Sequence, residues 1–547
     1  MDIRGLKGIR DLKGIRGLMG KGNGMNQRID GSELTIGVHY EPSGVDPHIG
    51  AAELALQMTN AVFDTLVNKT LDGDYLPGLA KRFDISADEC TYRFFLRDDV
   101  CFHDGTPFNA AAVKFSLDRA CDPANQSQLA GSLLGPYRCC RLIDDYTLEV
   151  ELASPYALLL DALSQGWLAP VSPAAVERLG DGFARAPVGT GPFIFEEWLP
   201  GDCITLVRNP DYRWAPPQVD NRGAAHLQKI TFKFLRDDDA RSDALESGEV
   251  DVIFFTPPGD AARLRANPAF RIDTCPIRGV PVCMMMNIAK APTDDLAVRR
   301  AISYAIDRPA LIDEVFHDEF VRAYGPVSQF TLGYESIVEN FYPFDPAKAR
   351  ELLDAAGWLP GEDGVRERNG VKLRVDFYAL PVNFYPQFGS IISRQLAEIG
   401  IRVEVTILDP VSWIKAGMRG DHHLIPQGKY ASSSQFLSFV YHSRHSGPDG
   451  YGWSKRGAAH NPRLDRLLDR AEGILKPENF IPLLNKAQTI IMEDALAVPL
   501  HCNTNIVASR REVRGIRFDA IGAYPYFHDT VIYDGVNADE MDGEVAQ

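Results

Sequence analysis

The sequence predicts an α/β protein with more than one hydrophobic core, and three observations carry that expectation. The chain has 547 residues at 45% hydrophobic content, enough for roughly two to four domains. Ile230, Phe232 and Phe234 alternate as a strand does, and after an SGEVD turn residues 250–255 form a second apolar run, giving strand, helix, strand. Residues 373–377, 384–398 and 401–407 repeat that order, and alternating β and α segments favour layered α/β units.

The elements follow along the chain. Residues 34–39 read as the first strand, and EPSGVDPH at 41–48 is an irregular loop because its prolines and glycine break regular pairing. Residues 75–78 (YLPG) carry turn chemistry, with Pro77 fixing φ and Gly78 tolerating positive φ. Residues 91–96 (TYRFFL) are β-branched and aromatic, hence a strand. His103, Asp104 and Gly105 make a turn, and Asn109 caps a helix over 110–119. His103 and Asp104 have no second ligand cluster at metal spacing, so their side chains are expected to bond turn backbone. The glycines of GTG at 189–191 precede a strand and lack a following GK[ST], which excludes a phosphate loop. Val298, Ala301, Ile302 and Ala305 are helically spaced, and Asp307 with Pro309 restarts a helix. Asp345 and Pro346 form an N-cap and N1 pair for a helix through 349–356, which Gly357 ends.

The bulk numbers exclude some functions. A net charge of −17 argues against a nucleic-acid binder, which needs Lys and Arg against phosphates. The apolar runs 156–163 and 280–286 fall short of the roughly 20 residues that span a bilayer. Nine cysteines, an odd count with no CxxC, read as small buried hydrophobes and lean towards a reducing compartment. Residues 1–24 repeat IRGLKG, IRDLKG and IRGLMG without the apolar stretch of a usual signal peptide. Three readings stay open: a misassigned start with Met25 as a second one, an unusual export route, or a protein that stays inside. No GxSxG elbow, HExxH or paired-carboxylate motif supports an enzyme.

Three segments together resemble one family. PGLA at 77–80, TYRFFLR at 91–97 and FHDGTPFNAAAVKFS at 102–116 are similar to the peptide, opine and nickel class of ABC importer binding proteins, solute-binding protein family 5. PVGTGPFIFEEWLPGDCITLVRNPDYRW at 187–214 and VRRAISYAIDR at 298–308 extend the resemblance, which covers about 32–533. It implies a periplasmic-binding-protein-like fold, two α/β lobes joined by a two-crossing hinge with an inserted α+β domain. The first lobe is then 32–73, 188–283 and 499–533, the inserted domain 74–187 and the second lobe 284–498. The crossings are expected near Cys283 to Asn287 and Val498 to Asn503, with an extension at 1–31 and a tail at 534–547.

The resemblance also implies a function: capture of a small peptide or peptide-like solute in the interlobe cleft and delivery to an inner-membrane ABC permease. A periplasmic monomer is expected, without cofactor, metal or nucleic acid. In peptide-binding members a GWxxDxxDP-like segment supplies an acid for the ligand's ammonium. Here Gly428 falls on the glycine, Lys429 on the tryptophan and Ser432 on the aspartate. Loss of that acid and the nearby Lys429 charge point to an anionic or uncharged end, such as a capped or acidic peptide or an opine-like conjugate. The alternative keeps Lys429 in solvent and lets Glu41 or Asp421 supply the acid. Tyr40, Glu41, Asn287, Trp413, Lys429, Tyr430 and Ser432 are the candidate ligand residues. His422, His423, His442 and His445 read as solvated loop histidines, the HxxH of the last two being weak evidence for metal. An intracellular ligand sensor on the same fold is the competing class.

Overall fold

Two mixed sheets and a smaller antiparallel one organise the chain. The computed structural model describes residues 27–29, 31–49, 56–125, 127, 130–381, 384–446, 454 and 461–534. The repeat at 1–24 and the tail past 534 lie outside the described residues.

The first sheet has seven strands in the order Phe270–Pro276, Thr504–Arg510, Val252–Ile253, Glu33–Val38, Lys229–Phe234, Cys203–Arg208, Phe193–Leu199. Glu33–Val38 is parallel to both of its neighbours. Leu34, Ile36, Ile230, Phe232 and Val252 fill one apolar cluster with it. The second sheet has six strands: Val321–Arg322, Ala497–Cys502, Gly279–Met286, Leu424–Tyr430, Arg374–Ala379, Arg402–Ile407. Gly279–Met286 and Ala497–Cys502 are buried at every position, as strands covered on both faces must be.

The third sheet, Ala80–Ile85, Thr91–Leu96, Thr147–Leu152 and Tyr137–Asp144, is inserted in sequence between the first sheet's strands Glu33–Val38 and Phe193–Leu199. Tyr92, Phe94 and Leu96 point inward, against Val113 and Leu117 of the helix Ala110–Cys121. Asn109 caps that helix by accepting from the Ala112 amide at 3.0 Å. One buried ion pair ties this domain to the first lobe. Arg119, on the same helix, forks onto Asp46 at 2.6 and 2.9 Å. It also donates to His48 Nδ1 at 3.0 Å, while His48 Nε2 bonds the Ala169 carbonyl at 3.0 Å. An imidazole accepting at one nitrogen and donating at the other is neutral, and burial holds the His48 pKa down at about 4.

Two sequence expectations differ from the structure. Residues 75–77 are not a free turn: Tyr75–Pro77 is a strand paired with Val67–Lys69. Gly78 serves close approach instead of positive φ, since a Cβ there would stand 2.5 Å from the Thr65 carbonyl. The first crossing also lies earlier than 283–287. The chain leaves the first sheet at Pro276 and enters the second at Gly279, so the passage is Ile277 and Arg278. Cys283 sits within a fully buried strand whose ends no alternation marks. The return passage is Asn503, between Cys502 and Thr504.

No helix among the described residues is long and apolar enough to cross a membrane.

Candidate functional site: the interlobe contact

The strand order places a topological switch at the central strand of the first sheet. Glu33–Val38 has Lys229–Phe234 on one side and Val252–Ile253, which follows it in the chain, on the other. Open α/β sheets bind ligands at such a switch, outside the carboxyl ends of the strands. His39 and Tyr40 follow the central strand and Phe255 the short one. The His39 ring lies 5.4 Å from Tyr40 and 5.8 Å, edge-on, from Phe255. Phe255 is held at φ +51°, a conformation unfavourable for a bulky residue and found where surrounding structure imposes it. Burial, and then the Arg241 charge, lower the His39 pKa to about 4, so this rim is neutral imidazole and aromatic.

The second lobe contributes the end of the strand Leu424–Tyr430. Lys429 and Tyr430 pair with Val280 and Gly279 beside the first passage. Gly279 has φ +119°, and a Cβ there would stand 2.2 Å from the Lys429 carbonyl. Tyr430 and Phe255, from opposite lobes, pack on one apolar cluster. Between them runs Arg278, half-buried, its amide donating to the Ile521 carbonyl and its own carbonyl accepting from Ala431. Arg278 Nε is buried without a hydrogen-bond partner.

Ser432 reaches the inserted domain. Lys69 Nζ lies 2.5 Å from Asp161 Oδ1 and 2.8 Å from Ser432 Oγ, and the Ser432 hydroxyl donates to the same carboxylate oxygen. The Lys69 and Asp161 side chains are 4% and 6% exposed. Nearby, the Ala157 amide donates to the Glu472 carbonyl at 2.9 Å. On the other flank Arg265 pairs with Glu319, Nη2 to Oε2 at 2.9 Å.

The remaining expected residues are placed elsewhere. Glu41 faces its own lobe, accepting from Trp198 Nε1 at 3.0 Å and the Gly201 amide at 3.2 Å. Asn287 lies past the far end of Gly279–Met286, roughly 25 Å along the strand from the passage. It ties down the Gly420 and His422 carbonyls at 2.9 and 3.0 Å. Trp413 sits on the helix Pro410–Arg419, against a cluster with Ile425 and Leu496. Asp421 is paired with Arg419 at 2.5 Å. His422 and His423 are buried, not solvated; His423 takes the Asp376 amide on Nδ1 at 2.9 Å. Among the described residues no group of three His, Cys, Asp or Glu could hold a metal, and all nine cysteines are unpaired.

Lys69 and Asp161 were missed from sequence. The available signal was the single charge of Asp161 inside the apolar run 156–163, since an acid on a buried helix needs a partner.

The family described as bacterial extracellular solute-binding proteins, family 5 Middle, matches residues 74–451. The glutathione-binding protein GsiB of Escherichia coli strain K12 is 28% identical over 497 residues, covering 88% of this chain and 91% of that protein. GsiB of Escherichia coli O6:K15:H31 is 30% identical over 451 residues, covering 80% and 82%. NikA from Brucella suis, solved with Fe(III)-EDTA, superposes at TM-score 0.82 with 25% identity over 91% of this chain and 99% of that one. DppA from Helicobacter pylori, solved with the peptide STSA, gives 0.77 at 24% identity over 93% and 99%. Two sheets joined at two passages and a family match over residues 74–451 make this chain a member of the bacterial extracellular solute-binding proteins, family 5.

Proposed function

We propose that this member is the capture component of an ABC importer, closing two lobes over a small peptide-like solute and passing it, outside the cytoplasm, to a membrane permease. The observation that carries the reading is the pair of short passages, at Ile277 with Arg278 and at Asn503, which join two otherwise separate sheets. Such a connection permits hinge closure around a ligand, and closure excludes water from the polar groups that hold it. Both lobes come from one chain, so a monomer suffices, and capture needs no chemistry.

The solute class we infer is an acidic or capped peptide, of the kind the GsiB relatives are named for. Lys429 and Arg278 stand at the hinge side of the contact, and Arg278 Nε lacks a partner. The acids in question are engaged by the protein itself: Glu41 by Trp198, Asp161 by Lys69 and, far from the passage, Asp421 by Arg419. A solute carboxylate therefore meets cations, and charge-assisted bonds of this type contribute about 1.5–3 kcal/mol each.

Thermal unfolding of the full chain with glutathione, neutral and cationic tripeptides, opines and Ni²⁺ tests this. At 100 times Kd a ligand adds about 2.7 kcal/mol of stability. Stabilisation by glutathione or another anionic conjugate is expected. Stabilisation by cationic peptides alone overturns the charge argument, and silence across the series overturns the solute class.

A further inference from the structure

The ammonium at the interlobe contact belongs to the protein. Lys69 ends the strand Val67–Lys69, Asp161 lies on the helix Leu158–Leu163, and Ser432 follows the strand Leu424–Tyr430. Sequence separations of 92 and 271 residues keep the three apart until the fold assembles them. Two further side chains close on the pair: Gln165 Nε2 donates to Asp161 Oδ2 at 3.0 Å, and the Tyr75 ring lies 5.1 Å from Lys69 Nζ. Gln218 holds the Lys69 carbonyl at 3.3 Å.

We propose that Lys69 is a built-in counter-ion, filling the Asp161 carboxylate from within and turning this part of the cleft against solutes that carry a lone primary ammonium. A carboxylate buried in a contact between lobes needs a cation. Lys69 supplies it on a short strand already fixed by the Tyr75–Pro77 pairing, so no translational freedom is lost when the pair forms. A solute ammonium could take the carboxylate only by displacing Lys69 and leaving that charge buried without a partner. Ser432 completes the arrangement from the opposite lobe, because a hydroxyl can accept from the ammonium and donate to the carboxylate at once. The same place is thereby satisfied at net charge zero when the lobes meet. Solutes with an acidic or acylated end remain admissible. The inference rests on the lobe-closure reading and adds to it a rule for the charge of the solute.

Two measurements on the full chain test it. The first is calorimetric titration with tri-alanine and N-acetyl-tri-alanine, on wild type, Lys69→Met, Ser432→Asp and the double variant Lys69→Met/Asp161→Asn. The free-amine to acetylated affinity ratio is expected to rise at least tenfold in Lys69→Met, which frees Asp161, and in Ser432→Asp, which adds a second acid. It stays at the wild-type value in the double variant. The second is thermal unfolding of Lys69→Ala in ethylammonium chloride against sodium chloride at equal strength; ethylammonium refills the vacated ammonium site and raises Tm in the variant alone. An unchanged ratio in Ser432→Asp, or an ethylammonium response equal in wild type and variant, overturns the proposal. Ser432→Asp leaves both Lys69 and Asp161 in place, so it carries the test if the Lys69 variants do not fold. Wild type binding neither peptide would count against the solute class, whereas the ethylammonium measurement reads Asp161 without any solute.

Discussion

Replacing His501 by Phe should remove most of one identifiable share of the protein's acid sensitivity. His501 is 2% exposed on the strand Ala497–Cys502. Its ring lies 4.6 Å from Phe316 and 5.4 Å from both Phe320 and Phe388. Burial drives its pKa down to about 3, with the Cys502 backbone acting in the opposite direction. The unfolded chain, with an imidazole near 6.5, binds the proton first as pH falls, so stability is fully present above about 6.5 and declines below it. Between pH 7.5 and 5.0 the loss from this one group is about 2 kcal/mol, from about 1.36 kcal/mol per unit over the 1.5 units below 6.5. The assay is urea unfolding of wild type and His501→Phe at both pH values. The variant should lose about 2 kcal/mol less than wild type on acidification, phenylalanine being at home among three others. Equal losses would refute the reasoning and mean that His501 is already charged or hydrated in the folded protein.

Other consequences are as direct. Gly279→Ala places a Cβ against the Lys429 carbonyl at φ +119°; we expect at least about 1 kcal/mol of destabilisation and weaker ligand-induced closure, read by small-angle scattering. Arg119→Met leaves Asp46, whose side chain is 2% exposed, without its cation, which should lower stability by about 3–5 kcal/mol in urea unfolding. Lys429→Ala should weaken an anionic solute about tenfold or more, measured by calorimetry.

Local signals made much of this fold legible. Asn109, Asp307 and Asp345 each cap the helix expected of them, because a side chain accepting from an amide three residues on is a rule written in adjacent letters. Thr91–Leu96 alternates inward and outward as its sequence does. Fully buried strands were harder. Gly279–Met286 has no polar face to show its ends, and the expected crossing fell within it. Near the passages, Tyr40, Lys429, Tyr430 and Ser432 come from the end of an expected strand or from a recognisable segment, which is why sequence alone singles them out as candidates. Lys69 and Asp161 were not, because an ion pair across 92 residues leaves no periodicity behind. Asn287, a candidate as a strand-end residue, ties down carbonyls far from the passage, and Trp413, a candidate by family resemblance, sits on the helix Pro410–Arg419.

The fork of Arg119 on Asp46 has a mechanical consequence. That pair and the His48 bridge to Ala169 fasten the inserted domain to the first lobe, so under the proposed lobe closure the two would move as one body. The inserted domain then lengthens one jaw, carrying Asp161 out beside Lys69 of the first lobe to meet Ser432, and carrying Ala157 to the Glu472 carbonyl. A rotation of a few degrees at Arg278 and Asn503 becomes a displacement of several ångströms at those tips. A single angle describes opening, and the tips are where a small change of that angle breaks contacts first.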